Sequence, residues 1–295
     1  MRIAAAAYAM DPLTSWEAYE AKLTRWIAEA TDGGADLAVF PEYGAMELAA
    51  ISGQAGDLEA SLHAVSACLP QVDDLHRSLA RRFDLHILAA SAPVFDPAFH
   101  PTRPVNRARL FAPSGAVGVQ DKQIMTRFER EVWDVHPGGP LRVFDTALGS
   151  VAILICYDAE FPLLARAVVA AEAKILLVPS CTDTTAGYWR VRIGAMARAL
   201  EGQCIVVQAP TVGDCDWSPA VDENRGAAGV FGPPDVGFPQ TGCLAIGDMD
   251  APGWVFADVD LTAVDAVRQA GAVRGLAHWD EQKARTQRCE QVPLI

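Results

Sequence analysis

Residues 151–162, VAILICYDAEFP, carry the pattern on which the interpretation of the fold depends, because an apolar run ends abruptly in a thiol, a tyrosine and two acids. The apolar part lacks polar alternation, which is typical of a strand that is buried on both faces. Pro162 can open a helix, since proline is tolerated in the first helical turn. The segment therefore predicts a buried strand with Cys156 at its carboxyl end, followed by a helix.

Similar apolar runs recur along the chain, and stretches with helical spacing separate several of them. The predicted strands are residues 3–9, 37–40, 86–90, 151–155, 175–178 and 205–207. The predicted helices are residues 16–31, 61–83, 162–172 and 188–202. Strands that alternate with helices predict an α/β layered protein.

Composition favours one compact domain in this chain of 295 residues, since 51% of them are hydrophobic and only 21% are charged. We assign residues 1–262 to the main domain and 263–295 to a C-terminal tail. Residues 107–120 predict a hairpin around a Pro-Ser-Gly turn. Residues 213–240 are rich in Gly, Pro and Asp, so we expect a long surface excursion there, before a last strand around 254–259.

The charge and the cysteines limit the classes of partner and the compartment. The formal net charge of −13 disfavours non-specific binding to nucleic acid or to an anionic membrane. The apolar N-terminal run is too short for a secretion signal or a membrane span. The 7 cysteines form no Cys-x-x-Cys pair and no plausible disulfide framework, which predicts a reducing, cytoplasmic setting.

The sequence supports neither a metal nor a cofactor. Its 6 histidines form no His-Glu-x-x-His motif and no His/Cys cluster. The phosphate-binding motifs Gly-x-x-x-x-Gly-Lys and Gly-x-Gly-x-x-Gly are missing, as is the Gly-x-Ser-x-Gly elbow. We therefore expect neither a metal nor a nucleotide cofactor.

Three polar segments follow predicted strands and could carry chemistry. Cys156 would lie where ligands bind in parallel sheets, and turn amides there can stabilise a thiolate or an oxyanion. Glu42 follows the strand at 37–40, and its apolar neighbours could raise its pKa for work as a base. Lys122 and Glu129 follow the hairpin. Each has an ordinary alternative: a core cysteine, a capping or salt-bridging acid, and a solvated charged stretch.

Taken together and in order, these segments resemble the nitrilase superfamily of carbon–nitrogen hydrolases. Glu42 matches the family's Pro-Glu after a strand, Lys122 and Glu129 match its Lys to Glu-Arg step, and Cys156 matches its nucleophile. LVPS at 177–180 and ARALE at 197–201 add to the likeness. Departures occur at Leu163, where the family often has Glu, and in the segments GAA at 226–228 and PPD at 233–235.

The resemblance implies a four-layer αββα sandwich and a covalent mechanism. In it, Glu42 acts as general base and acid, Cys156 as nucleophile, and Lys122 with the Tyr157 backbone N–H as donors to the oxyanion. Glu129 would orient Lys122, with Glu131 as the competing assignment. Asp158 and Glu160 are instead predicted to form a structural turn. Members of the family usually form homodimers or larger homo-oligomers.

The resemblance also narrows the substrate. Cys156-Tyr157-Asp158 is similar to amidase-type branches, because nitrile-cleaving members commonly have Trp after the nucleophile. A small aliphatic amide or ω-amide is therefore the favoured substrate, N-carbamoyl compounds are second and nitriles third. The resemblance predicts five residues at the substrate pocket: Tyr43, Trp133, Tyr157, Thr182 and Trp189.

Two further classes of protein are less compatible with the sequence. A cysteine–histidine protease would need a histidine at a strand end with surroundings like those of Cys156, and none is present. A silent binding or thiol-sensing protein would tolerate the loss of Glu42 or Lys122, yet both are present. An amide hydrolase is the function that the sequence favours.

Overall fold

A computed structural model describes residues 1–286 and 289–294. The predicted C-terminal tail, 263–295, therefore includes three positions, 287, 288 and 295, that lie outside the described residues. Within the described residues, no helix is both long enough and apolar enough to cross a membrane.

The strands follow the apolar runs of the sequence. They are β1 (Arg2–Ala9), β2 (Leu37–Val39), β3 (His86–Val94), β4 (Val105–Phe111), β5 (Val117–Asp121), β6 (Val143–Thr146), β7 (Gly149–Ile153), β8 (Ile175–Ser180), β9 (Ile205–Asp214), β10 (Glu223–Asn224), β11 (Gly229–Phe231), β12 (Cys243–Ile246) and β13 (Gly253–Asp258).

Helices separate many of these strands, and short 3₁₀ turns follow some of them. The α-helices are α1 (Trp16–Asp32), α2 (Leu48–Ile51), α3 (Leu58–Phe83), α4 (Arg127–Glu131), α5 (Pro162–Ala170), α6 (Thr185–Gly202), α7 (Leu261–Ala270) and α8 (Gly275–His278). The 3₁₀ helices are Gly44–Glu47, Cys156–Glu160 and Trp279–Ala284. Gly33 ends α1, since its N–H bonds the carbonyls of Glu29 and Thr31.

The sheet runs in the order β5-β4-β3-β2-β1-β9-β8-β7-β6. Strands β1, β2 and β3 are parallel to one another, as are β7, β8 and β9. The predicted hairpin is the antiparallel pair β4 and β5. Only the last two residues of β1, Tyr8 and Ala9, pair with β9, so the sheet divides into two halves there.

The two halves pack face to face with helices outside. Alternate residues of β1 point to opposite faces. Ile3 and Leu37 share an apolar cluster with Leu177 and Val207 of the other half, and this cluster continues to α5 and α6. Ala4, the residue of β1 that follows Ile3, points to the opposite face and packs in a second cluster with α1 and α3. The layers are thus helix, sheet, sheet, helix, which confirms the predicted αββα architecture.

Two sequence-based expectations need comment. The prediction of a surface excursion at residues 213–240 is wrong in part, because Val230 and Phe231 are buried and β11 pairs with β9 inside the sheet. The Gly and Pro residues there flank a short buried strand, which composition alone does not reveal. The boundary at residue 262 stays a prediction; α7 crosses this position and buries Val264 and Val267 in its first two turns.

Candidate active site

Cys156 lies where the sequence places it, beyond the carboxyl end of β7 and at the first residue of a 3₁₀ helix. Its φ of +50° lies in the left-handed region, which non-glycine residues rarely adopt. The buried Asp158 carboxylate holds this turn, since it accepts hydrogen bonds from the backbone N–H groups of Gln123, Ile124 and Ile155. The predicted structural role of Asp158 thus has a geometric basis.

Glu42 follows β2 and is buried, with both carboxylate oxygens bonded. Its Oε1 accepts from Lys122 Nζ at 2.7 Å and from Asn106 Nδ2 at 3.0 Å. Its Oε2 accepts from the backbone N–H of Cys181 at 3.0 Å. Because Cys181 comes directly after β8 and Glu42 shortly after β2, one carboxylate joins the two halves of the sandwich.

Lys122 bridges two buried carboxylates. Its Nζ donates to Glu129 Oε2 at 2.6 Å as well as to Glu42. Glu129 is fixed by a capping box at the start of α4, where Thr126 and Glu129 bond each other's backbone N–H. Tyr43 Oη donates to Glu129 Oε1 at 2.8 Å. The cation therefore has a defined position with little freedom to move.

The protonation states of Glu42, Glu129 and Lys122 follow from their burial and from the one positive charge among them, that of Lys122. Burial raises the pKa of Glu42, although Lys122 opposes the shift. Burial also acts to raise the pKa of Glu129, but the Lys122 ammonium and its hydrogen bonds bring the net pKa below the usual value. The two carboxylates hold the pKa of Lys122 well above its ordinary value despite burial. Lys122 therefore stays charged.

The resting form of Cys156 is a neutral thiol. Burial, reinforced by the negative charge of Glu42, raises the pKa of this thiol well above its ordinary value. The Cys156 Sγ donates to the Cys181 carbonyl at 3.8 Å, and the backbone N–H of Cys181 donates to Glu42, so the thiol and the carboxylate meet at Cys181. A neutral thiol beside a carboxylate of raised pKa is an arrangement in which the proton can pass to the base as the sulfur attacks.

A cavity of about 490 Å³ opens onto these side chains, and Glu42, Lys122, Glu129 and Cys156 all line it. Of the predicted pocket residues, Tyr43, Trp133, Tyr157 and Thr182 also line it. Trp189 does not. Its half-exposed ring contacts Tyr188 and lies near the Arg192 guanidinium, so the expectation for Trp189 is wrong.

Glu131, the alternative to Glu129, lies at the rim of the cavity. Its carboxylate pairs with Arg127 at 2.8 Å, and both side chains are exposed. Glu160 pairs with Arg190 at 3.5 Å on the same wall. Lys122 therefore has Glu129, rather than Glu131, as its partner.

Sequence reasoning missed several residues of the site. The Thr126 capping box was detectable, because threonine three residues before glutamate is a recognised signal. Cys181 also had a signal, since it follows a buried strand as Cys156 does. Asn106 had none: it lies within β4, and only the pairing of β4 with its neighbours brings its amide to Glu42 and Glu129.

Comparison with known proteins identifies the family of this chain. The family model described as carbon-nitrogen hydrolase matches residues 2–268. The chain belongs to the carbon–nitrogen hydrolase family. This family description agrees with the resemblance of the sequence to the nitrilase superfamily of carbon–nitrogen hydrolases.

Among curated relatives, the chain is 32% identical to "Probable hydrolase YhcX" of Bacillus subtilis over 94% of its own length and 53% of that protein. It is 31% identical to a deaminated glutathione amidase of Yersinia enterocolitica over 46% of its length and 51% of that protein. The chain thus spans about half the length of these two curated relatives.

Solved structures share the fold. A carbon–nitrogen hydrolase from Helicobacter pylori superposes with a TM-score of 0.77 at 18% identity, covering 98% of each chain. An amidase from Nesterenkonia, in a mutant form that carries acrylamide on its active-site cysteine, gives a TM-score of 0.67 at 22% identity over 91% of this chain and 97% of that one. At these identities the likeness shows the fold alone.

The group around Cys156 contains one buried cation, Lys122, and two buried carboxylates, Glu42 and Glu129. Within residues 1–286 and 289–294, no group of three or more His, Cys, Asp or Glu side chains is arranged to hold a metal ion. The described residues offer hydrogen-bond donors and one fixed ammonium near the thiol.

Proposed function

We propose that this protein is a cysteine-dependent amidase, which hydrolyses a small aliphatic amide or ω-amide to a carboxylate and ammonia. One observation carries the proposal: the thiol of Cys156 shares a cavity with a buried carboxylate, Glu42, that is bonded to a buried ammonium, Lys122. A nucleophile, a base and a fixed positive charge are the three components that acyl transfer needs.

In the acylation step, Glu42 takes the proton of the Cys156 thiol while the sulfur attacks the amide carbonyl carbon. The carbonyl oxygen becomes an oxyanion, stabilised by the Lys122 ammonium and the backbone N–H of Tyr157. Glu42 then passes the proton to the amide nitrogen, the C–N bond breaks, and ammonia leaves. The acyl group remains on Cys156 as a thioester.

In the second step, Glu42 takes a proton from water, and the resulting nucleophile attacks the thioester. Collapse of the second tetrahedral intermediate breaks the C–S bond, and the proton held by Glu42 returns to the sulfur. Glu129 acts as a positioning residue, since its bonds to Lys122 and Tyr43 fix the ammonium beside Glu42. The cycle consumes one water and needs no other reactant.

Relatives support an amide as the substrate. Deaminated glutathione amidases are among the curated relatives, and the Nesterenkonia amidase, which shares the fold, has an active-site cysteine that reacts with acrylamide. Nitrilase 3 of Arabidopsis thaliana is 26% identical over 81% of this chain, so nitriles remain an alternative substrate. N-carbamoyl compounds remain the second choice from the sequence, and a silent binding or thiol-sensing protein is the non-enzyme alternative.

We also propose a homo-oligomer in the cytoplasm. Apolar side chains are exposed at the start of α5 and along α6: Leu163, Trp189, Ile193 and Leu200. Exposed apolar surface of this kind is typical of a protein–protein contact. The C-terminal tail stays a candidate for part of that contact. Sedimentation of the purified protein tests the assembly. The same measurement on the Ile193→Glu variant tests whether this apolar surface forms the contact.

The test of the reaction is ammonia release from simple aliphatic amides, ω-amides, N-carbamoyl amino acids and nitriles. Activity on an amide class that is lost in Cys156→Ala supports the proposal, and trapping of an acyl group on Cys156 by mass spectrometry would identify the thioester. A folded protein that releases ammonia from no member of the panel would contradict it. Activity that persists in Cys156→Ala would remove the cysteine mechanism.

A further inference from the structure

The cavity beside Cys156 is strongly acidic. Its lining includes seven carboxylates and three cationic side chains. The carboxylates belong to Glu42, Glu129, Glu131, Glu160, Asp183, Asp222 and Glu223, and the cations are Lys122, Arg127 and Arg190. Low-dielectric walls increase the field of such a group of charges inside a cleft.

Every cation of the lining has a carboxylate partner. Lys122 lies between Glu42 and Glu129, and the two arginines pair with Glu131 and Glu160 at 2.8 Å and 3.5 Å. An anionic group of a substrate would therefore have to displace an existing ion pair. In contrast, three lining carboxylates have no ion pair within the part of the chain that the structure describes: Asp183, Asp222 and Glu223.

Hydrogen bonds hold together the backbone segments that carry these three exposed carboxylates. The N–H of Cys215 bonds the carbonyl of Asp222 at 2.7 Å, and Asn224 Nδ2 bonds the carbonyl of Val221 at 2.8 Å, which fixes the loop between them. Thr182 exchanges two hydrogen bonds with Arg225, both of 2.8 Å, which brings Asp183 beside this loop. The acids thus form one wall of the cavity.

Arg225 lies beside this wall, and its main carboxylate partner is Asp214, outside the cavity, with Glu223 a weaker one. Its guanidinium turns to Asp214, with which it forms an ion pair of 2.6 Å, and it is not part of the cavity lining. The positive charge nearest to Glu223 in the sequence is therefore engaged by a carboxylate outside the cavity.

Aromatic side chains supply a second, independent observation. Tyr43, Phe128, Trp133 and Tyr157 line the same cavity, and the ring faces of such residues attract cations. The Trp133 ring contacts the rings of Tyr43 and Phe128, which joins three of these aromatic side chains into one group.

From this wall we propose that the amide hydrolysed here carries a positively charged group, an ammonium on a short aliphatic chain. The carboxylates of Asp183, Asp222 and Glu223 and the aromatic side chains bind this ammonium while the amide reaches Cys156. The inference rests on the proposed amidase function and specifies its substrate class. ω-Amides that end in a carboxylate are disfavoured, because no unpaired cation of the described lining is available to them.

The test uses three amides of similar length: 5-aminopentanamide, which is cationic, hexanamide, which is neutral, and glutaric acid monoamide, which is anionic. We expect kcat/KM to fall in that order. High salt should reduce the preference for the cation, since exposed carboxylates are screened. Equal kcat/KM values, or a preference for the anion, would overturn the inference.

The double substitution Asp222→Asn and Glu223→Gln tests the wall directly. It should lower the ratio of kcat/KM for 5-aminopentanamide over hexanamide about fivefold, as expected for two exposed carboxylates. An asparagine at this position can still accept the bond that Asp222 Oδ1 receives from the N–H of Glu223. The matched control, Glu20→Gln with Asp74→Asn, changes the net charge equally on exposed helical positions and should leave the ratio unchanged.

Binding separates this inference from the proposed function. Calorimetry with Cys156→Ala measures the Kd of each amide without turnover. Tighter binding of 5-aminopentanamide than of hexanamide supports the charge preference even if the wild-type protein hydrolyses none of the amides, in which case the amidase proposal alone fails. Equal affinity of Cys156→Ala for the two amides, or no binding of either, contradicts the charge preference whatever the hydrolysis assay shows.

Discussion

Within the part of the chain that the structure describes, two clusters each contain a buried lysine that donates to a buried glutamate, and one of them lines the 490 Å³ cavity. The Glu42 cluster comprises Glu42, Lys122, Glu129 and Tyr43. The Glu47 cluster comprises Glu47, Lys22, Asp11 and Tyr8. In both, a lysine Nζ lies 2.6 to 2.7 Å from a glutamate oxygen and a tyrosine Oη donates to a glutamate.

The electrostatics of the two clusters are also alike. Burial raises the pKa of Glu47 as it raises that of Glu42, with the neighbouring lysine opposing the shift in each case. A thiol lies near each: burial, followed by the charge of Glu47, raises the pKa of Cys215 to about 11. A buried lysine–glutamate pair with a cysteine nearby is therefore not by itself a catalytic site.

Access makes the difference. None of the Glu47 cluster lines the 490 Å³ cavity, and Lys22 is further engaged by the carbonyl of Ala9 and by Asp11. In the Glu42 cluster, a left-handed turn presents Cys156 to the cavity that Glu42 and Lys122 line. The Glu47 cluster joins β1, α1 and the Gly44–Glu47 turn, which is a structural role.

The two cysteines should differ most when each is replaced. Cys156→Ala should lower kcat at least about 10⁴-fold, because no other group can form the thioester. Cys215→Ala should leave kcat within about threefold and lower the free energy of unfolding by about 1 kcal/mol, the effect of a small cavity. Ammonia release and urea denaturation measure the two quantities. Similar losses of kcat in both variants would remove the distinction between the clusters.

The two glutamates should separate next. Glu42→Gln keeps the shape but removes the base, so kcat/KM should fall about 10³-fold. Glu47→Gln should instead lower the free energy of unfolding by about 2 kcal/mol, because Lys22 loses a charged acceptor and keeps Asp11. Steady-state assays with denaturation of both variants check this. A catalytic loss in Glu47→Gln comparable to that in Glu42→Gln is the contrary result.

The two tyrosines should differ in the same sense but by less. Tyr43→Phe removes the donor to Glu129 Oε1, which loosens the Lys122 ammonium, so kcat should fall about tenfold. Tyr8→Phe removes the donor to Glu47 Oε1 and should cost about 2 kcal/mol of unfolding free energy with kcat nearly unchanged. Thermal denaturation and initial rates distinguish the pair. Equal stability losses with unchanged rates would show that Tyr43 is only structural.

The pH profile should show the mildest effect. Glu42 must be ionised to accept the thiol proton, and burial raises its pKa above the usual 4.5. The rate should therefore decline as the pH falls through a value higher than 4.5, while the protein remains folded. Glu47→Gln should keep this acidic limb. Measurement of kcat/KM against pH checks the sign, and a rate that is constant down to pH 4.5 would contradict it.

Sequence reasoning was most successful where a polar residue follows a buried strand. Glu42 and Cys156 were selected in this way, and the structure brings both to one cavity. It failed at Trp189, whose neighbour Arg190 lines the cavity instead. Adjacent helical residues differ by about 100° in direction, so spacing alone could not identify which of the two faces the site.

The amino-acid sequence was sufficient to predict the alternation of strands and helices, the family, and the residues that end the strands, because these depend on local hydrophobic periodicity and on short motifs. Three-dimensional packing was needed to show that Asn106 reaches Glu42, that β11 is buried, and that one lysine–glutamate cluster lines the cavity while the other does not. These features depend on which distant segments pack together. Hydrophobic burial across the whole chain determines that packing, so no short sequence pattern predicts it.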